Sequence, residues 1–212
     1  MNPIHENRIS LNGRLTEDIR AIKTHDGRTV YNTYVMVNRQ SGEADTLPVS
    51  FEKTAALCDP YGLRGKRVHI EGEVRSINRE DEASGHRHIA AIWAHGIKET
   101  DSHDGQSVRM EGNICSQPRY RKTPKGKEIC DMILAVCTGG KASYIPVIAW
   151  GSNARKMAEA STGDVVSLTG RFQSRVYRKK LDAFDAVVER MAYEVSAQKI
   201  DVIISRRKLV AQ

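Results

Sequence analysis

The sequence lacks the short motifs on which most enzyme active sites are built. It contains no glycine-rich phosphate loop, no nucleophile elbow and no spaced acidic cluster of the kind that nucleases use to hold metal ions. Asp182 and Asp185 form an acidic pair that is typical of a solvated loop. The 7 histidines show no HExxH or other ligand spacing. We therefore expect a protein that is not an enzyme and that binds no metal and no cofactor.

Long apolar runs and paired cysteines are also missing. No window approaches about 18 continuous apolar residues, the length that indicates a membrane-spanning helix. The N-terminus has no basic region followed by an apolar run, so we expect no signal peptide. No two of the 4 cysteines, which are Cys58, Cys115, Cys130 and Cys137, have CxxC spacing. The sequence therefore predicts a cytoplasmic protein with buried, reduced thiols and no membrane partner.

Positive charge is present in excess, and it is unevenly distributed. The 212 residues carry a net charge of +7, with 40% hydrophobic and 28% charged residues. Residues 107–212 hold 19 Lys and Arg against 10 Asp and Glu, whereas residues 1–106 hold 14 against 16. A basic surface of this kind favours a polyanionic partner. The second half of the chain is therefore where we expect that partner to bind.

The hydrophobic pattern predicts short strands throughout both halves of the chain. In the first half the strands are expected at 9–15, 30–38, 46–51, 67–77 and 88–97, with a short helix at 53–58. In the second half they are expected at 108–114, 129–137, 142–150, 164–177 and 187–200, with a helix at 152–160. Polar loops are expected at 79–85 and 179–185, and a linker at 98–106.

The two halves repeat in register. Gly13 and Gly112 are 99 residues apart, and Gly72 and Gly170 are 98 apart. Each half reads as three strands, a helix and two strands, which is the order of an OB fold. The predicted fold class is therefore all-β, with two tandem five-stranded Greek-key barrels and a short helix between the third and fourth strands of each. We expect the domains to span 7–98 and 107–200.

The second half resembles the bacterial single-stranded-DNA-binding protein family. The resemblance rests on an ordered set of segments: the turn at 123–127, the strand at 133–136, the strand at 144–151, the run at 163–177 and the end strand at 193–195. Residues 8–98 look like a diverged copy, which carries Glu73 in place of Arg171 and Arg79 in place of Tyr177. With a one-residue gap, Phe51 stands in for Trp150. We therefore expect the first domain to have lost stacking and phosphate-binding groups.

The resemblance implies a site in which aromatic rings stack on bases and cations contact phosphates. The stacking candidates are Trp150, Tyr177, Tyr144 and Phe51. The phosphate candidates are Arg119, Arg121, Lys122, Lys125, Lys127, Arg171, Arg175, Arg178, Lys179 and Lys180. For Trp150 the alternative is a core position at the end of a strand, and each cation can equally be a solvated surface charge. Phe172 alternates away from this set and is expected in the core.

The implied function is binding of single-stranded DNA without sequence specificity, to protect or organise it in replication, recombination or repair. The alternative is an OB-fold protein-interaction module of a primosome or mobile-element complex. Family members usually end in an acidic tail that recruits other proteins, whereas this chain ends in 208–212 without one. Replication or mobile-element proteins remain candidate partners, but recruitment through such a tail is not expected. Because the family implies four OB domains in an assembly, a chain with two predicts a homodimer.

Overall fold

The architecture consists of two closed five-stranded β-barrels, each with one additional short strand. The computed structural model describes residues 5–16, 18–56, 58–81, 85–181 and 186–205, with the backbone alone described within 78–87 and 178–188. The strands are β1 Asn7–Leu15, β2 Arg20–Lys23, β3 Thr29–Asn38, β4 Ala44–Glu52, β5 Arg67–Asp81, β6 Gly85–Glu99, β7 Gly105–Ile114, β8 Arg119–Lys122, β9 Glu128–Thr138, β10 Lys141–Trp150, β11 Val165–Leu181 and β12 Ala186–Ile204. We call β1–β6 the first repeat and β7–β12 the second repeat.

Strand pairing closes each barrel in the order of an OB fold. In the first repeat β1 pairs with β3 and β5, β3 with β4, β4 with β6 in parallel, and β6 with β5. The second repeat has the same pairings among β7, β9, β10, β12 and β11. The all-β prediction of two tandem OB folds is therefore confirmed. The short outer strands β2 and β8 are additions that the sequence pattern did not reveal.

The helix between the third and fourth barrel strands differs between the repeats. The second repeat has an α-helix, α1, at Ser152–Ala158, which buries Ala154 and Met157. The first repeat has two short 3-10 helices instead, at Lys53–Ala55 and Pro60–Leu63. Pro60 cannot donate a backbone hydrogen bond in a helix interior, so it begins a new helix rather than extending one. A helical connection is thus present in both repeats at the predicted place.

The described parts of two segments predicted to be loops, which are 79–81 with 85 and 179–181, are strand. β5 and β6 pair as far as Asp81 opposite Gly85, and β11 and β12 pair as far as Leu181 opposite Ala186. Both arms of such a hairpin satisfy their backbone groups through the ladder, so polar side chains are compatible with it. The sequence pattern missed these arms because they carry no alternating apolar face.

A close backbone approach explains the repeated glycine in β5 and β11. A Cβ atom on Gly72 would lie 2.3 Å from the carbonyl oxygen of Trp93, and one on Gly170 would lie 2.2 Å from that of Ser196. Both glycines lie at a register shift of the ladder. A glycine at this point of the fourth barrel strand therefore allows the two backbones to approach closely at the bulge.

Antiparallel pairing of β1 with β7 joins the two barrels about a pseudo-twofold axis. Ile9 pairs with Val108, its own counterpart 99 residues along the chain. A second contact also occurs twice: the Thr46 amide donates to Ser174 Oγ at 3.1 Å, and the Tyr144 amide donates to Ser76 Oγ at 3.1 Å. The barrels therefore face each other in the way that two copies of one subunit do.

The predicted linker is short and anchored to the first barrel. It covers 100–104 between β6 and β7. Arg67 Nη2 donates to Asp104 Oδ1 and to the Ser102 carbonyl, both at 2.6 Å. The Asn38 side chain donates to Asp104 Oδ2 at 2.7 Å. These bonds show how a segment without apolar residues is still held in place.

Each barrel encloses an apolar core, and the four cysteines differ in how far they are buried. Phe51 and Phe172 are both fully buried, which confirms the core position expected for Phe172. Cys130 is buried, and burial raises the pKa of its thiol to about 11. Cys58 is exposed, which corrects the expectation that all four thiols are buried. All four are unpaired.

Candidate nucleic-acid interface

A groove of about 930 Å³ runs across the outer surface of the second barrel. β10, β11 and β12 supply most of its wall, the β8–β9 turn adds Lys127, and the β3–β4 turn with the start of β4 in the first repeat supplies the rest. Its lining is Arg39, Glu43, Ala44, Lys127, Trp150, Arg171, Gln173, Ser174, Arg175, Val176, Ser196, Ala197 and Gln198. We call this the main groove. It combines one indole ring with four cationic side chains, a combination suited to a base and its neighbouring phosphates.

Trp150 presents an indole ring to the main groove. It is the last residue of β10, and 37% of its surface is exposed. Its Nε1 donates a hydrogen bond to Ser196 Oγ on β12 at 3.1 Å. Ala149, the preceding residue, is fully buried, so strand alternation directs Trp150 outward. The ring is therefore held in one orientation while part of it remains open to solvent.

Three of the groove cations differ in how strongly they are already neutralised. The Arg175 Nε atom donates to Glu194 Oε1 at 3.0 Å, and Gln173 Nε2 donates to the same oxygen at 2.9 Å. Arg171 donates instead to the neutral amide oxygen of Gln173 at 3.0 Å. Lys127 is exposed at the end of the β8–β9 turn. Arg171 and Lys127 therefore have the most charge available for an anion.

The first repeat inserts an ion pair beside the main groove. Asp45, which has no exposed surface, accepts hydrogen bonds from Arg39 at 2.5 and 2.7 Å and from the Ser174 backbone amide at 2.8 Å. The hydrogen bonds to Asp45 raise the pKa of Arg39, whereas burial and the nearby Arg39 charge lower the pKa of Arg171. At the twofold-related position the chain has Ser143, so this ion pair occurs on one side alone.

A smaller groove of about 630 Å³ lies next to the main groove. Its walls include Arg119, Arg121, Ile133 and Pro146, and it shares Arg175 with the main groove. Arg121 pairs with Asp131 at 2.7 Å and is half exposed. The two grooves are therefore adjacent on the second barrel and meet at Arg175.

Tyr120 and α1 form a separate cluster around Glu128. The Tyr120 hydroxyl donates to Glu128 at 2.6 Å, and Arg155 of α1 pairs with the same carboxylate. The hydrogen bond from Tyr120 is the main cause that lowers the pKa of Glu128, and the Arg155 charge adds to it. This cluster attaches the β8–β9 hairpin to α1, next to the turn that carries Lys127.

The family model of the single-strand binding protein family matches residues 6–98 and, separately, 106–203. Together the two matches include both barrels. The chain belongs to this family.

Relatives of this single-strand binding family member include proteins from two bacterial genera. It is 34% identical over 96 residues to a single-stranded DNA-binding protein of Clostridium tetani. The aligned region covers 42% of this chain and 66% of that protein, which is just under two thirds of its length. The chain is 28% identical over 115 residues to single-stranded DNA-binding protein 2 of Streptococcus agalactiae, covering 51% of this chain and 86% of that protein.

Among solved structures, the single-stranded DNA binding protein of Thermus aquaticus has a similar fold. The wild-type protein superposes with a TM-score of 0.69 at 20% identity, covering 94% of both chains. A deletion mutant of that protein gives 0.68 at 19% identity, covering 95% of this chain and 96% of that one. At this level of identity the likeness supports the tandem arrangement of the two barrels.

The structure brings many of the predicted site residues of this family member together. Trp150, Lys127, Arg171 and Arg175 line the main groove. Arg119 and Arg121 line the smaller one. The Arg175 guanidinium lies 5.9 Å from the centroid of the half-buried Tyr177 ring. These residues therefore lie where one bound strand could contact all of them.

Other predicted residues lie elsewhere. Tyr144 is 53% exposed and shares the outer face of β10 with Trp150, but it lies six residues away, about 20 Å along the strand. Lys122 and Lys125 are exposed on the β8–β9 hairpin, outside both grooves. The side chains of Arg178, Lys179 and Lys180 fall outside the described residues.

Phe51 is not a stacking residue, and the alignment that suggested it was wrong. Its ring is fully buried and packs on Tyr31 with the centroids 5.6 Å apart, so neither face is open to a base. In the parallel pairings, Phe51 lies opposite Ala94 as Ala149 lies opposite Ala197. The counterpart of Trp150 is therefore Glu52, one residue later, and no gap is needed.

Sequence reasoning missed Arg39, and it missed the two buried acids that hold arginines at the groove. Glu194, 5% exposed, orients Arg175, and Asp45 holds Arg39 at the groove wall. The sequence carried no clear signal for their burial, because Asp and Glu are mostly exposed and alternation with the apolar Val195 would point Glu194 outward. In the part of the chain that the structure describes, no helix has the length and apolar character needed to cross a membrane. The same residues contain no cluster of three or more His, Cys, Asp or Glu suited to a metal.

Proposed function

We propose that this protein binds single-stranded DNA without sequence specificity in the cytoplasm, where it protects or organises the strand in replication, recombination or repair. The main groove carries the proposal, because it places an exposed indole beside Arg171 and Lys127. Membership of the single-strand binding protein family supports it. The protein acts as a binder and not as an enzyme. The protein-interaction alternative has no comparable observation in its favour.

The contacts expected in the main groove explain the absence of sequence preference. Every base has an aromatic face that can stack on Trp150, and every nucleotide has a phosphate for Arg171 or Lys127. Duplex DNA hides its base faces within the stack, so it can satisfy only the phosphate contacts. Binding should therefore favour single strands of any sequence.

The salt dependence of binding tests this assignment. With Lys127, Arg171 and Arg175 and the adjacent Arg39 contacting phosphates, log K should fall with log salt at a slope of about −2 to −3 for a single strand. Fluorescence anisotropy of labelled oligo(dT) and of a duplex of equal length, each at several salt concentrations, measures both quantities. Equal affinity for the duplex, or affinity unaffected by salt, would refute the assignment.

Two domains, at 7–98 and 107–200, divide this function unequally. The second domain carries the main groove, most of the candidate cations and the positive excess of the chain. The first has Glu52 and Glu73 at the positions of Trp150 and Arg171. We therefore assign most of the binding free energy to the second domain.

Two chains associate into a homodimer with four OB folds. Within one chain the β1–β7 pairing already joins two barrels about a pseudo-twofold axis. A dimer would therefore contain two of these two-barrel units. Light scattering should give a mass roughly twice the 23.7 kDa of one chain. A mass of one chain across the concentrations at which DNA is bound would exclude the dimer.

A further inference from the structure

The first barrel carries a tryptophan at the position of the serine that holds Trp150 in the second barrel. Trp93 on β6 lies opposite Ser50 in the parallel pairing with β4, as Ser196 on β12 lies opposite Ile148 of β10. The same β-bulge follows in both repeats, leaving His95 and Gln198 unpaired. Ser196 accepts the hydrogen bond from Trp150. The Trp93 side chain therefore starts from the position to which the Trp150 indole is hydrogen-bonded in the second barrel.

The surroundings of Trp93 correspond to the main groove. Ser196, Gln198, Arg171 and Gln173 line the main groove. Their counterparts in the first repeat, from the strand register, are Trp93, His95, Glu73 and Arg75. The neighbours of Trp93 on β6, Ile92 and Ala94, are buried in the core, so the half-buried Trp93 faces outward.

An arginine covers the Trp93 ring. The Arg75 guanidinium carbon lies 4.7 Å from the ring centroid, and Arg75 also pairs with Glu73. The Arg75 side chain is 36% exposed, so it has room to turn away from the indole. His95 Nε2 lies 3.7 Å from the same Glu73 carboxylate, so Glu73 has a second polar neighbour besides Arg75. The indole is thus covered by a group that can be exchanged.

We propose that Trp93 and Arg75 form a second base-stacking site of this protein, which takes one nucleobase of the single strand bound by the second domain. The base replaces the guanidinium on the indole face, and Arg75 keeps its ion pair with Glu73 while offering its remaining N–H groups to the adjoining phosphate. Stacking of a base on an aromatic ring is stronger than a cation–π contact at an exposed site, so the exchange is favourable as long as the pair with Glu73 is kept. This proposal rests on the proposed function and extends it to the first domain.

The chain contains 2 tryptophans, so each can be observed alone. In Trp150→Phe the remaining emission comes from Trp93, and in Trp93→Phe it comes from Trp150. An oligo(dT) of about 32 nucleotides is long enough for two OB folds at their upper site size. Labelled DNA reports binding independently of either tryptophan, and an abasic oligomer of equal length supplies phosphates without bases.

We expect oligo(dT) to quench Trp93 emission in Trp150→Phe, and the abasic oligomer to leave it unchanged. Trp93→Ala should bind this oligo(dT) about 5- to 150-fold more weakly, the range for loss of one stacked base, and Trp93→Phe should bind more tightly than Trp93→Ala. Binding of labelled oligo(dT) with unchanged Trp93 emission at saturation would overturn this site alone. No binding of labelled oligo(dT) by the wild-type chain would overturn the proposed function and this site together.

Discussion

Replacing Asp45 with alanine should lower the free energy of unfolding by about 3 kcal/mol, near the lower end of the range for breaking a buried ion pair. The carboxylate has no exposed surface and accepts from Arg39 at 2.5 and 2.7 Å and from the Ser174 amide at 2.8 Å. Its removal leaves a largely buried guanidinium and a backbone amide without their main acceptor. The lower end applies because Arg39 keeps Glu43 at 2.7 Å. Urea unfolding of the full chain measures the change.

Glu43→Ala provides the matched control for Asp45→Ala. Both acids pair with Arg39, but the Glu43 side chain is 73% exposed. Exposed ion pairs contribute little, so Glu43→Ala should change the free energy of unfolding by less than about 1 kcal/mol. Asp45→Ala with an effect as small as that of Glu43→Ala would show that the buried pair does not stabilise the junction of the two barrels.

A double variant separates the ion pair from the packing around it. Arg39→Met with Asp45→Ala removes both charges, so no buried charge is left unpaired. Its loss of stability should be clearly smaller than the sum of the two single losses. Additive losses would mean that the pair acts through packing alone. The same variant tests the main groove, because Arg39 lines its wall and Asp45 binds Ser174 on β11.

The fold could be predicted because both halves of the sequence carry the same sterically required residues at the same positions. Gly72 and Gly170 are required at the same bulge in both barrels, and the apolar strands around them alternate clearly. The hairpin arms beyond Ile77 and Tyr177 could not be predicted in this way. They are stabilised by backbone pairing, which the side-chain pattern does not encode when both faces are polar.

The site could be predicted only in part, because burial of polar residues depends on tertiary contacts. Asp45 and Glu194 look like surface acids in the sequence, and each becomes a buried acceptor only when another strand brings an arginine to it. Trp93 was missed for a related reason. Its role follows from its pairing opposite Ser50. An alignment of the two halves at a constant offset of 98 or 99 residues does not match Trp93 with an aromatic residue of the second half.

Trp150→Ala should weaken binding of oligo(dT) by about 1–3 kcal/mol, or roughly 5- to 150-fold, while the fold survives. The ring is 37% exposed at the end of β10, and its Nε1 bonds to Ser196 rather than to a core group. Its loss therefore leaves Ser196 free to bond with water and creates no buried cavity. Anisotropy of labelled oligo(dT) measures the affinity, and circular dichroism checks the fold.

Tyr61→Ala is the matched control for the Trp150 prediction. Tyr61 is exposed to a similar degree, 39%, but it lies in a 3-10 helix of the first repeat, outside both grooves, where it contacts Tyr31 and Arg64. If loss of any exposed ring weakens binding through general destabilisation, Tyr61→Ala should do so as well. We expect its affinity to stay within about twofold of wild type, less than one stacked base contributes.

Trp150→Phe distinguishes stacking from positioning at the same residue. Phenylalanine keeps an aromatic face but cannot donate to Ser196, so the ring is no longer held by the 3.1 Å hydrogen bond. If stacking dominates, its affinity should lie between those of wild type and Trp150→Ala. If Trp150→Ala binds as tightly as wild type, the indole does not stack on a base. The affinity would then have to come from Arg171, Lys127 and the other groove cations. The slope of log K against log salt would be the same for Trp150→Ala as for wild type.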